Sequence, residues 1–279
     1  MNMPDKSGKE KSGTAVLRPS FRVLIIGDVI GRSGREALRR HLPVLRDRHR
    51  PAFVVANGEN AAGGVGLTEE TGRELFSMVD VLTSGNHIWD KKEGIAYMEK
   101  ESRVLRPANY PPPAPGRGSV AVAGPDGLKL GVLNLQGRVF MEPIDDPFRA
   151  ADAAVEELRK ETPCLIVDFH AEATSEKVAL GYYLDGRVSA VVGTHTHVPT
   201  ADGRVLPGGT AYVTDLGMAG SRNSVIGIRK EQAILKFLTS RPIRFEPDKG
   251  GSFLSGVVVE IETATGRALS IVQEIIAED

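Results

Sequence analysis

Short apolar runs that stop at a polar cluster recur along the first third of the chain. Val23-Leu24-Ile25-Ile26 stops at Gly27-Asp28, and Phe53-Val54-Val55-Ala56 stops at Asn57-Gly58-Glu59-Asn60. Val81-Leu82-Thr83 leads into Gly85-Asn86-His87. Runs this short, rich in β-branched residues, predict strands. Between the first two, Ala37, Leu38, His41, Leu42 and Leu45 recur at helical spacing and predict a helix over about residues 34–48. Thr68 is placed to cap a second helix reaching about residue 78. The pattern is β-α-β-α-β, with a polar cluster at the carboxyl end of each strand, where open parallel sheets bind ligands.

The pattern changes after residues 106–118, a proline- and glycine-dense loop. Residues 120–122 and 128–136 predict a hairpin turning at Pro125-Asp126-Gly127. A helix is expected over residues 147–160. Strands are expected at 165–169, 188–192 and 210–214. Residues 255–262 and 269–276 alternate apolar and polar around Thr265-Gly266, which predicts an antiparallel hairpin with one solvated face. Two sheets packed face to face with helices outside, in one domain spanning residues 21–279, account for this order. The polar residues 1–20 carry no apolar stretch, so they predict a disordered tail and no secretory signal.

Composition narrows the class. Lys and Arg number 35 against 36 Asp and Glu, which gives no bulk field for coating a nucleic acid or a membrane surface. No run approaches the roughly 20 apolar residues of a membrane span. The single cysteine, Cys164, begins the apolar run Cys164-Leu165-Ile166-Val167 and reads as a small buried hydrophobe. A reducing cytoplasm is the expected location.

Chemistry concentrates in the histidines. Of six, four fall in Gly85-Asn86-His87, Asp168-Phe169-His170 and Gly193-Thr194-His195-Thr196-His197. In extended backbone His195 and His197 would point the same way and reach one cluster. Asn86 offers an amide oxygen, and His87 a proton-transfer group. Asp28 reads equally as a helix cap or a metal ligand; Glu59, a poorer cap type, leans toward ligation. Asp168 falls on the same strand face as His170 and could hold that imidazole in place. Residues 60–66 are glycine-rich but lack the Lys-Ser/Thr ending of a P-loop, so a permissive turn is the better reading. Trp89 reads as packing rather than a base-stacking group. Residues 217–223 read as a solvated turn rather than a phosphate grip.

Taken together, Gly27-Asp28-Val29-Ile30-Gly31, Asn57-Gly58-Glu59-Asn60, Ser84-Gly85-Asn86-His87, Asp168-Phe169-His170-Ala171-Glu172 and Gly193-Thr194-His195-Thr196-His197 resemble the calcineurin-like metallophosphoesterase superfamily. Within it the YmdB-type bacterial phosphodiesterases match best, from about Phe21 to the C-terminus. Asp28 is followed by Val29-Ile30 where the wider superfamily has Asp-x-His, and Glu59 stands where it has Asp; both departures are those of the YmdB-type branch. The resemblance implies an α/β fold, a four-layer α/β/β/α sandwich. It implies a first metal on Asp28, Glu59, Asn60 and His197, and a second on Glu59, Asn86, His170 and His195. His87 would stay off the metals and act on the substrate.

The expected reaction is two-metal hydrolysis of a small phosphodiester, including 2′,3′-cyclic nucleotides of the cAMP or cGMP type. Ions about 3.5–4 Å apart would share an attacking hydroxide, with His87 as general acid. A nitrogen and oxygen donor set without thiolate suits Mn or Fe, and Zn is compatible. The rival readings are a phosphomonoesterase or nucleotidase on the same centre, and a catalytically weak metal-binding regulatory protein. No membrane partner is expected, balanced charge argues against nucleic acid, and the C-terminal hairpin is a candidate edge for a homo-oligomer.

Overall fold

The computed structural model describes residues 19–278. The predicted tail falls largely outside the described residues. In chain order the elements are β1 (Ser20–Val29), α1 (Gly31–His49), β2 (Phe53–Asn57), α2 (Glu69–Phe76), β3 (Val81–Thr83), α3 (Lys92–Lys100), β4 (Ser119–Ala123) and β5 (Lys129–Gln136). There follow α4 (Pro147–Leu158), β6 (Leu165–His170), α5 (Thr174–Tyr183), β7 (Ala190–Thr194), β8 (Arg204–Val205), β9 (Ala211–Val213), β10 (Met218–Gly220), α6 (Lys230–Thr239), β11 (Ser252–Glu262) and β12 (Ala268–Glu278).

The strands form two six-stranded sheets, ordered β12-β11-β10-β1-β2-β3 and β4-β5-β6-β7-β9-β8. In the first, β10, β1, β2 and β3 run parallel, while β11 lies antiparallel to β1 along residues 20–26. In the second, β5, β6, β7 and β9 run parallel between antiparallel edges β4 and β8. Alternation along β1 sorts the layers. Leu24 and Ile26 pack on α1 with Leu38, Leu42 and Leu45, while Val23 and Ile25 face the other sheet. On the second sheet Ile166 and Val192 face inward, and Leu165, Val167 and Phe169 pack against Val155 and Leu180 of α4 and α5. Helices, sheet, sheet and helices make the four-layer α/β/β/α sandwich.

The inward-facing positions turn polar toward one edge. Ile166 gives way to Asp168 and His170, Val192 to Thr194, Val55 to Asn57, and Val81 to Thr83, all of them buried. The apolar inter-sheet core therefore ends in a buried polar layer at the carboxyl ends of the parallel strands.

Several sequence expectations need correction. Only the end of residues 217–223, Arg222-Asn223, is an exposed turn: Met218–Gly220 is a buried strand, paired with β1 on one side and β11 on the other. His195 and His197 are not extended. Their φ angles are +98° and +64°, so they leave β7 through a left-handed turn. Asp28 does not cap α1, whose first turn has no side-chain cap. Thr68 does cap α2, with a reciprocal pair of bonds to Thr71. No helix among the described residues is long and apolar enough to cross a membrane. The C-terminal hairpin forms as expected, but its outer strand exposes Leu269, Val272 and Ile275.

Candidate metal centre

Five strand ends deliver the site. Asp28 comes from β1, Glu59 and Asn60 from the turn after β2, Asn86 from the turn after β3, His170 from β6, and His195 and His197 from the turn after β7. Asp28, Glu59, Asn60 and His170 are buried. His170 Nε2 lies 3.1 Å from Asn86 Oδ1 and 2.9 Å from His195 Nδ1. It also stands 3.1 Å from Glu59 Oε1, as an ion pair without hydrogen-bond alignment. Two donors held about 2.1 Å from one ion at right angles lie about 3 Å apart, so this spacing fits a shared cation. On the other side, His197 Nε2 and His170 Nδ1 each stand 3.8 Å from Asp28 Oδ1.

Of the four buried side-chain oxygens without a hydrogen-bond partner among the described residues, three belong to this cluster, Asp28 Oδ1, Glu59 Oε1 and Asn60 Oδ1, and the fourth is Ser255 Oγ. Orphaned buried acceptors are costly, and a cation satisfies them. Their neighbours aim them. The Asn60 amide donates to Gly64 O at 3.1 Å, which turns its carbonyl oxygen free. Asp28 Oδ2 accepts His195 N–H at 3.1 Å, and Glu59 Oε2 accepts His87 N–H at 3.1 Å. In each carboxylate one oxygen is anchored and the other is left unbonded. Gly85 completes the cradle, because a Cβ there would overlap the His170 ring.

Asp168 acts on His170 through an intermediary. Thr194 Oγ–H donates to Asp168 Oδ1 at 2.8 Å, so Thr194 Oγ accepts from His170 Nδ1–H at 2.9 Å. That relay puts the Nδ1 proton toward the polar layer and leaves Nε2 for the donor cluster. Thr83 and Asn57 also donate to Asp168. Sequence reading missed Thr194, Thr83 and Asn57 because nothing in their types marks them; the inward parity of residues 57, 83, 168, 170 and 194 was the available signal. It also missed Asp215, whose carboxylate accepts Thr196 N–H at 3.2 Å and Thr196 Oγ–H at 2.7 Å between the two histidines. Lys177 of α5, itself buried, pairs with Asp215 at 2.7 Å.

The electrostatics favour a cation. Burial alone would discharge His170, but the Glu59 carboxylate, with Asp28 and Asp168, outweighs it and holds the ring charged, its pKa near 9. Burial and the charge on His170 together press His195 down to about 3, leaving it a neutral donor. Burial pushes Asp28 up to about 6, while Glu59, despite burial, is held at about 2 by His170 and His87. The proton on His170 Nε2 thus occupies the place a metal ion would take. Loading the centre at pH 7 should release about one proton per chain, since the ligand must be neutral. The His170 share of that release should fade as pH rises through about 9, where the ring is already neutral, leaving only what a metal-bound water gives up. Calorimetry in two buffers of different ionisation heat reads this directly, and identical heats would refute it.

His87 stands apart. Its Nδ1 bonds Asp90 Oδ2 at 2.9 Å, and its side chain is part-exposed. Trp89 packs edge-on against Tyr110, with ring centroids 5.1 Å apart, and lies partly buried against the core. The positive φ of Gly63, Gly64 and Gly66 makes the glycine-rich segment a tight turn whose Gly64 carbonyl orients Asn60.

Two face-to-face mixed sheets between helices, with a buried nitrogen and oxygen donor cluster at their shared carboxyl edge, define a metallophosphoesterase. A family model described as YmdB-like protein matches residues 24–274, and the chain belongs to that family. A Bacillus subtilis (strain 168) protein named 2′,3′-cyclic-nucleotide 2′-phosphodiesterase is 49% identical over 260 residues, covering 93% of this chain and 98% of that one. A crystallised Mycoplasma pneumoniae protein described as a novel phosphatase superposes with a TM-score of 0.88 at 34% identity, covering 94% of this chain and 95% of that one. A crystallised Thermus thermophilus protein described as hypothetical superposes with a TM-score of 0.84 at 46% identity, covering 92% of this chain and 100% of that one.

Proposed function

We propose that this protein is a metal-dependent phosphoric diester hydrolase that opens 2′,3′-cyclic nucleotides. The observation that carries the reading is the set of three buried, unbonded oxygens, on Asp28, Glu59 and Asn60, beside three converging imidazoles. Asp28, Glu59, Asn60 and His197 would hold one ion, and Glu59, Asn86, His170 and His195 would hold the other. Two ions there supply Lewis-acid polarisation of the phosphoryl oxygens and lower the pKa of water. Mn or Fe suits this donor set, and Zn is compatible.

The protein's own residues do the rest. The Asp168–Thr194 relay holds the His170 ring in one tautomer. Asp90 holds His87 Nδ1–H, so Nε2 is the atom that exchanges a proton. A ribose alkoxide is a poor leaving group, so His87 Nε2 gives its proton to the departing oxygen. The B. subtilis relative is named for the 2′ ester, and we assign the same bond here, which leaves a 3′-monophosphate. The free, buried thiol of Cys164 suits a reducing cytoplasm.

The test is hydrolysis by Mn-loaded protein of 2′,3′-cyclic AMP, 3′,5′-cyclic AMP and a simple phosphomonoester. Preferred turnover of the 2′,3′-cyclic ester is the expected result. Preference for the monoester would replace this reading with a nucleotidase, and no turnover with two ions bound would replace it with a regulatory binding protein.

A further inference from the structure

The loop after β5 holds an aromatic residue that folding alone does not account for. Gln136 is the register partner of His170, and Gly137 N–H bonds His170 O at 3.0 Å, so the chain leaves the sheet beside a candidate ligand. The loop is firmly held. The Glu176 carboxylate of α5 accepts Arg138 N–H at 3.0 Å and Val139 N–H at 3.2 Å. The Arg138 guanidinium bonds Asp146 at 2.9 Å, and Met141 N–H closes the turn on Arg138 O at 3.4 Å. At its tip Phe140 has a φ of +62° and is 89% exposed. A phenyl ring in water and a bulky L-residue in the left-handed region are each unfavourable, and Asn or Gly would serve the turn better. Such an outlier at a site rim points to function. Phe140, Met141, Glu142 and Pro143 share a cavity of about 500 Å³ with Asn86 and His195.

We propose that Phe140 is the platform on which the base of the substrate stacks while its cyclic phosphate lies at the metal centre. The inference rests on the cyclic-nucleotide reading above and adds what recognises the base. A ring carried on a clamped backbone turn has only its two side-chain torsions left to order on binding, and every base has a π-face to lay on it. Purines, with the larger face, gain most.

Phe140→Asn tests this, because Asn suits the left-handed turn and keeps the fold while removing the ring. Phe140→Trp restores an aromatic face. In Mn-loaded protein, Phe140→Asn should raise KM for 2′,3′-cyclic AMP about tenfold, and weaken binding of 3′-AMP measured by calorimetry by a similar factor. Phe140→Trp should keep both near wild type. Methyl riboside 2′,3′-cyclic phosphate, which has no base, should be turned over equally by all three. An equal loss on the base-free ester, or unchanged 3′-AMP binding in Phe140→Asn, would overturn the platform. Wild-type protein that binds 3′-AMP through Phe140 but hydrolyses none of the cyclic esters would overturn the diesterase reading and leave the platform standing.

Discussion

His87→Ala is expected to slow opening of a 2′,3′-cyclic nucleotide by about 10²–10⁴-fold, the usual contribution of a positioned proton donor. Metal content should be unchanged, because the ring bonds Asp90 rather than a candidate ligand, and the backbone N–H that Glu59 accepts survives the substitution. The two readouts together are diagnostic. Loss of activity with full metal occupancy assigns His87 to the leaving group. Loss of both would make it a ligand, and full activity would remove it from the mechanism. A diester with an activated leaving group, such as a nitrophenyl ester, needs little protonation and should lose much less rate.

Lys177→Met is expected to produce the largest loss of stability. Lys177 and Asp215 form an ion pair with both side chains almost fully buried. Removing one member leaves a charge in the interior, which costs about 3–5 kcal/mol. For a chain of this size that lowers Tm by roughly 6–20 °C. The damage should reach the centre as well. Asp215 bonds Thr196 on both its N–H and its hydroxyl, and Thr196 lies between two left-handed histidines. Metal affinity should fall about 10–100-fold, as when a group supporting a ligand is lost. Lys177→Met with Asp215→Asn removes both charges and keeps an acceptor for Thr196, so it should recover much of the lost Tm. A single variant that melts within about 2 °C of wild type, a shift worth roughly 1 kcal/mol, would refute the assignment.

Much of the site was readable in advance because ligand types sit where apolar runs stop, and a strand's end is where a parallel sheet presents groups. Asp28, Glu59 and His170 follow that rule, and the structure brings them within one cluster with Asn86, His195 and His197. The rule failed where tertiary context overrides local pattern. The segment Met218-Ala219-Gly220 has no β-branched residue and is a strand only because it fills the space beside Asp28 and Val29, where β11 diverges from β1. Helix α5 escaped notice because a lysine, Lys177, takes a core-facing place beside Leu180 and breaks the apolar period. Helix α6 buries only Ala233 and exposes Ile234, Leu235, Phe237 and Leu238, so its apolar residues do not mark an inner face. The turn carrying His195 and His197 depends on Asp215, some twenty residues further on, which no local pattern announces.

The pairing of β1 with β11 also bears on how the chain can be made. The strand that carries Asp28 is flanked on one side by β2, available early, and on the other by β10 and β11, which lie within residues 218–262. During synthesis the first sheet must wait, with one edge of its central strand open, until nearly the whole chain has emerged. Pairings between such distant segments close large loops and form slowly. A product truncated before β11 would keep Val23, Leu24, Ile25 and Ile26 on an unpaired edge, the kind of surface that aggregates. Completion of the sheet and delivery of Asp28 to the centre are therefore one late event, so nascent chains should stay inactive until β11 is in place.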